Sequence, residues 1–173
     1  MNKTVVKYLT VILLTGLLML YSCSISYSFS GSSIDYSKVH SISIKDFPNV
    51  APLVYAPLSQ KFNESLKDKY TRRTKLQILR DNSDLELEGE ITGYNLAPQA
   101  VREDAYASQP RLTITVKVRF TNKTNSEEDF DQSFSAYQEF SNERTIDEVQ
   151  DELSQLIIDE IVDQIFNKTV ANW

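Results

Sequence analysis

Cys23 is the only cysteine in the chain, and its setting is the strongest chemical signal in the sequence. Lys3 and Lys7 precede an apolar run from Tyr8 to Tyr21, and Ser22 stands directly before the thiol. A cationic start, a short apolar stretch and a small residue at the cut make a secretory leader. A cysteine placed directly after that small residue turns the leader into a lipobox. The thiol takes a diacylglycerol thioether, the leader is cut before Cys23, and the new amine receives a fatty acid such as palmitate. The apolar run is about 14 residues long, short of the roughly 20 that cross a bilayer as a helix. A lone cysteine in an exported chain has no disulfide partner, so acylation accounts for both its presence and its place. Two or three acyl chains meet the need for more than one chain in stable anchoring. The expected segments are a leader at 1–22, a lipidated segment at 23–36 and one domain at 37–173. No cofactor is expected beyond the covalent lipid on Cys23.

Other reactive combinations are absent from the sequence. His40 is the only histidine, and no Gly-x-Ser-x-Gly elbow accompanies it. A packed or solvent-touching imidazole is the expectation, and no enzyme. The four glycines form no phosphate loop; Gly89 and Gly93 fall within a strand and mark a bulge or a close backbone approach. Glu86, Glu88 and Glu90 share one strand face. They read either as a cation site or as partners of Lys117 and Arg119 on the neighbouring strand. Arg111, Lys117 and Arg119 project from a polar sheet face, and Arg72, Arg73 and Lys75 follow the first helix. Both sets read either as ordinary surface charge or as contacts to lipid phosphates or to an acidic partner lining, where guanidinium forks are apt. The formal charge is −6, and losing Lys3 and Lys7 with the leader takes it to −8. That balance argues against nucleic acid.

Periodicity supplies the elements that must position these groups. Val39 to Phe47 reads as a strand with Ile42 and Ile44 on one face. After Pro48, Pro52 and Pro57, the residues Leu58, Phe62, Leu66 and Tyr70 recur every four, which makes a one-striped helix begun by Pro57. Leu76-Gln77-Ile78-Leu79 is a short apolar segment, followed by a turn at Asp81 to Asp84. Leu85, Leu87 and Ile91 alternate with the glutamates in a strand running to about Leu96. Residues 97–110 make a polar connection. Arg111 to Phe120 is the clearest strand, with Leu112, Ile114, Val116, Val118 and Phe120 inward. Phe130, Phe134, Ala136 and Phe140 mark another. Thr145 and Glu148 form a capping box ahead of a long helix. Its stripe is Ile146, Val149, Leu153, Ile157, Ile161 and Ile165, widened by Leu156, Ile158, Val162 and Phe166. The expected fold is an α+β two-layer sandwich of order β-α-β-β-β-α. Its four-stranded mixed sheet carries both helices on one face and is polar on the other.

The lipobox, the stretch Tyr27-Ser28-Phe29-Ser30-Gly31, the segments Asp46-Phe47-Pro48-Asn49 and Pro57-Leu58-Ser59-Gln60-Lys61-Phe62, and Leu66 to Tyr70 together resemble LptE, the lipopolysaccharide-assembly lipoprotein family of the bacterial outer membrane. The resemblance covers essentially the whole chain after the leader. It implies a fold of two helices on a four-stranded sheet, and a role as a plug inside the β-barrel partner LptD. That complex moves lipopolysaccharide to the outer leaflet. It also implies a domain held by its lipid at the outer membrane, on the periplasmic side or within the barrel lumen. Basic residues touch lipopolysaccharide in some members; strand geometry here offers Lys117, Arg119 and Arg111 for that role. The alternative function is an envelope adaptor lipoprotein that scaffolds a different outer-membrane assembly complex.

Overall fold

The strand with the cleanest alternation, β4 (Arg111–Asn122), lies inside the sheet. A computed structural model of the chain describes residues 34–53, 55–97 and 109–170. The leader, Cys23 and most of the 23–36 segment lie outside them, as does most of the 97–110 connection. The described elements run β1 (Ser41–Ile44), α1 (Leu58–Arg73), β2 (Gln77–Leu79), β3 (Leu85–Ala97), β4, a 3-10 turn at Ser126–Glu128, β5 (Phe130–Glu139) and α2 (Ile146–Val170). They build one five-stranded sheet of order β2-β1-β3-β4-β5. β1 is parallel to both β2 and β3, whereas β3, β4 and β5 form an antiparallel meander.

The sheet has one strand more than the four expected. The addition is β2, the segment Leu76 to Leu79 that reads in the sequence only as a short apolar run. It is a three-residue edge strand with every side chain exposed, so it has no buried face to print an alternation. Its place comes from pairing with β1 at Ser41–Gln77, Ile42–Ile78 and Ser43–Leu79.

β3 explains a break in its own pattern. Leu85, Leu87 and Ile91 are odd-numbered core residues, but the next buried side chain is Tyr94. A register shift between Ile91 and Gly93 inserts Thr92 as a bulge and reverses the parity. Tyr94 and Leu96 therefore face the same way as Ile91, opposite Ile114 and Leu112. The second expectation for the glycines also holds. A Cβ on Gly89 would lie 2.1 Å from the Lys117 carbonyl oxygen and 2.5 Å from the Phe47 ring. Phe47 is fixed there from above by α1. Asn63 accepts from the Phe47 N–H at 2.8 Å, and the Ser59 hydroxyl donates to the Phe47 carbonyl at 2.6 Å.

Both helices cover the same sheet face. Leu58, Phe62, Leu66 and Tyr70 of α1 are fully buried, and Lys61 N–H donates to the Pro57 carbonyl at 3.0 Å in the first turn. Thr145 N–H donates to the Glu148 carboxylate at 2.8 Å, the reach-back half of the expected capping box. Along α2, Val149, Leu153, Ile157, Ile158, Ile161, Val162, Ile165 and Phe166 are buried. Leu156 is not: it is 48% exposed. It sits about 100° around the helix axis from Ile157, on the solvent side of the stripe. Lys61–Asp151, Ser65–Gln155, Lys69–Asp163 and Tyr70–Thr169 contacts advance together along both helices, so α1 and α2 run parallel.

Candidate functional site

The face of the sheet away from the helices is where β4 places the three basic residues singled out from the sequence. Odd positions of β4 point to this side because the even ones are in the core. Register sets their neighbours: Arg119 lies opposite Glu88, Lys117 opposite Glu90, and on the other flank Arg119 meets Asp131 and Arg111 meets Glu139.

The result is a lattice of ion pairs across three strands. The Arg119 guanidinium bridges Glu88 and Asp131, at 3.2 Å to each. Lys117 lies 3.6 Å from Asp131, Lys123 lies 2.6 Å from Glu86, and Arg111 lies 3.0 Å from Glu139. Arg111 also stacks its guanidinium 4.0 Å from the centre of the Tyr137 ring. Of the cross-strand pairing anticipated for the glutamates, Glu88–Arg119 is realised, whereas Lys117 turns to Asp131 and Glu86 takes Lys123. A shallow groove of about 330 Å³ runs through the lattice, where Lys45, Lys117 and Arg119 alternate with Asp46, Glu88, Glu90 and Asp131. Charges of both signs are interleaved, so an incoming phosphate must compete with carboxylates already in place.

The sequence brings out the basic strand of this lattice but not its acidic flank. Asp131 and Glu139 lie at odd positions of β5, on the polar side of a strand recognised by its even-numbered phenylalanines. That spacing was the available signal. In the sequence Asp84 reads only as part of a turn. Its Oδ2 accepts from the backbone N–H of His40 at 2.8 Å, of Ser41 at 3.0 Å, and from the Ser41 hydroxyl at 2.9 Å. These donors, led by the His40 N–H, hold the Asp84 carboxyl below the usual carboxylate range. The turn itself uses Asn82 in the left-handed region, φ 55°, which asparagine tolerates. The His40 side chain is exposed.

At the opposite edge of the helix layer, the Tyr55 phenol donates to Asp151 at 2.5 Å and its ring stacks on Tyr94. Burial, then the bond to Asp151, pushes the Tyr55 phenol up to about 12. Among the described residues, no group of three or more His, Cys, Asp or Glu is arranged to hold a metal ion, and no helix is long and apolar enough to cross a membrane. Cys23 lies outside the described residues.

A two-layer α+β sandwich with helices on one face and an open, ion-paired sheet on the other defines a small domain whose distinctive surface is that polar sheet face. The chain belongs to the LptE lipopolysaccharide-assembly family, whose model matches residues 39–169. The match takes in every described strand and nearly all of α2. Solved structures share the fold. A minor lipoprotein from Acinetobacter baumannii aligns with a TM-score of 0.50 at 16% identity, over 75% of this chain and 91% of that one. A hypothetical protein from Chlamydia trachomatis aligns with a TM-score of 0.51 at 13% identity, over 78% of this chain and 99% of that one. No curated protein sequence matches the chain. Family membership places the chain in lipopolysaccharide assembly at the bacterial outer membrane.

Proposed function

We propose that this chain is a lipid-anchored plug and assembly partner of an LptD-type barrel, acting in transport of lipopolysaccharide to the outer leaflet. The family match over residues 39–169 carries the reading. The sheet lattice supports it. A plug inside a water-filled barrel must show a polar surface to the lumen, and β3, β4 and β5 present ion pairs there rather than an apolar patch. Cys23 holds the lipid, with 1–22 removed as leader and 37–173 folding as the domain. Tethering at the membrane raises the local concentration of plug beside barrel without any added contact. Lys117, Arg119 and Arg111 are the residues nearest to hand for lipopolysaccharide phosphates, through exchange of their carboxylate partners. In this reading the domain does no covalent chemistry.

The test is affinity capture of the chain from detergent-extracted outer membranes. A large barrel recovered at one-to-one stoichiometry supports the plug. The chain recovered alone, or with another assembly complex, overturns the plug in favour of the adaptor. Fatty-acid labelling of wild type and Cys23→Ala tests the anchor separately: label is expected in the first and not in the second.

A further inference from the structure

The sheet ends in two edge strands of unequal length. β2 spans three residues and β5 spans ten. β5 pairs with β4 without a break from Phe130 to Glu139. The ladder decides which of its backbone groups stay open. Phe140 N–H donates to the Pro110 carbonyl at 3.0 Å, one step beyond the opposed pair Arg111–Glu139. In an antiparallel ladder, bonded pairs of opposed residues alternate with pairs whose N–H and C=O point away. The even-numbered residues of β5 therefore bond to β4. Asp131, Ser133, Ser135 and Tyr137 turn their backbone groups outward, and among the described residues no backbone bond reaches them there. All four residues are exposed. A long open edge is a template for another strand, and proteins blunt it with shortness, proline, lysine or a bulge. β2 is blunted by its length. β5 has none of these devices. Its sequence Phe-Asp-Gln-Ser-Phe-Ser-Ala-Tyr-Gln-Glu holds no proline, lysine or arginine, and its register does not slip.

We infer that β5 takes up a sixth strand, an extended cationic segment of the barrel partner, by backbone pairing along this edge. The inference rests on the plug reading above. Charge selects the occupant. Asp131 and Glu139 are the charged side chains of β5. Their cations Arg119, Lys117 and Arg111 lie behind them on β4, so the rim of the sheet is acidic at both ends. A second copy of the chain meets a conflict here. Same-face residues must oppose each other, so pairing the whole of β5 with itself centres on Ser135 or on Phe134. Those registers bring Asp131 directly or diagonally opposite the second copy's Glu139, and like charges so placed repel. A strand with Lys or Arg at the positions facing Asp131 and Glu139 has no such conflict. On the helix side it lies beside Phe134 and Ala136, where its alternate residues are apolar. Backbone groups supply the attachment, and the side chains choose the partner and its register.

The experiment captures the tagged full chain from detergent-extracted outer membranes of cells expressing each variant. Ser133→Pro removes one outward N–H and leaves the β4 ladder intact; it should cut the barrel recovered by about tenfold. Ser133→Thr keeps that N–H and should recover as much barrel as wild type. Asp131→Lys reverses the charge that a cationic strand meets and should lower recovery as well. Circular dichroism verifies that the variants fold. Hydrogen exchange on the wild-type chain gives a reading that needs no variant. Protected amides in β5 should rise about twofold from the isolated chain to the captured complex, because the outward set joins the inward one. Equal recovery with Ser133→Pro, greater recovery with Asp131→Lys, or unchanged exchange in the complex overturns the inference and leaves the plug reading standing. Outward amides already protected in the isolated chain, at the mass of a dimer, overturn it and assign the edge to a second copy. No barrel recovered with wild type overturns the plug reading and this inference together.

Discussion

The two faces of the sheet are built from the same strands and differ in what holds them. On the covered face, β4 contributes five fully or almost fully buried apolar side chains, closed over by α1 and α2. On the open face, the intervening β4 residues meet their partners in water: Arg119 is 59% exposed and Glu88 is 50% exposed. Burial of one large aliphatic side chain is worth about 1.5–3 kcal/mol, whereas an exposed ion pair is worth about 0.2–1 kcal/mol. The covered face therefore makes the fold, and the open face is free to be shaped by its surroundings.

The largest effect should come from the covered face. Ile157→Asp places an unpaired carboxylate where the native residue has no exposure, and should lower unfolding free energy by about 3–5 kcal/mol. Urea denaturation checks it; an unchanged midpoint would mean that the helix packing is wrong. Next is Gly89→Ala, which drives a methyl group into the Lys117 carbonyl and the Phe47 ring. A loss of about 2–3 kcal/mol is expected, read as a lower melting temperature.

Asp84→Asn should cost about 1 kcal/mol at neutral pH, since an amide oxygen accepts the same three bonds without the charge. The acid limb sharpens the point. The folded Asp84 carboxyl lies below its ordinary value, so its contribution is present above the unfolded value of about 3.9 and is lost as pH falls through the lower folded value. Stability measured from neutral pH down into that range should fall less steeply in the variant than in wild type. The smallest effect belongs to the open face. Arg119→Gln should cost about 0.5 kcal/mol, and less at high salt. A loss in Arg119→Gln as large as that in Ile157→Asp would erase the distinction between the faces.

Elements whose apolar and polar residues alternate at a fixed period were legible, whether the polar side is wet, as in β4, or buried, as in β1, and those without such a pattern were not. β4 and β5 alternate because each residue's side is fixed by the core. The order of helices and strands, the parallel β1–β3 pairing and the meander follow from such patterns. β2 has no dry side, so only its partner β1 defines it. The odd-to-even slip between Ile91 and Tyr94 is visible in the sequence, but Gly93 alone does not say which residue bulges. Leu156 follows the composition of the α2 stripe and not its geometry. At the site, Arg111, Lys117 and Arg119 were legible because they share a strand. Asp131 and Glu139 required the β4–β5 register, and Asp84 required a contact more than forty positions away in the chain.

β1 comes first in the chain yet sits between two strands that come later, β2 and β3. A polypeptide threaded through a membrane from its N-terminus delivers Ser41–Ile44 before either neighbour exists on the far side. One edge of its backbone must wait in water until residues 77–79 have crossed, and the other until residue 87 has. Export of such a chain leaves the first strand an open edge until about half of the polypeptide has crossed.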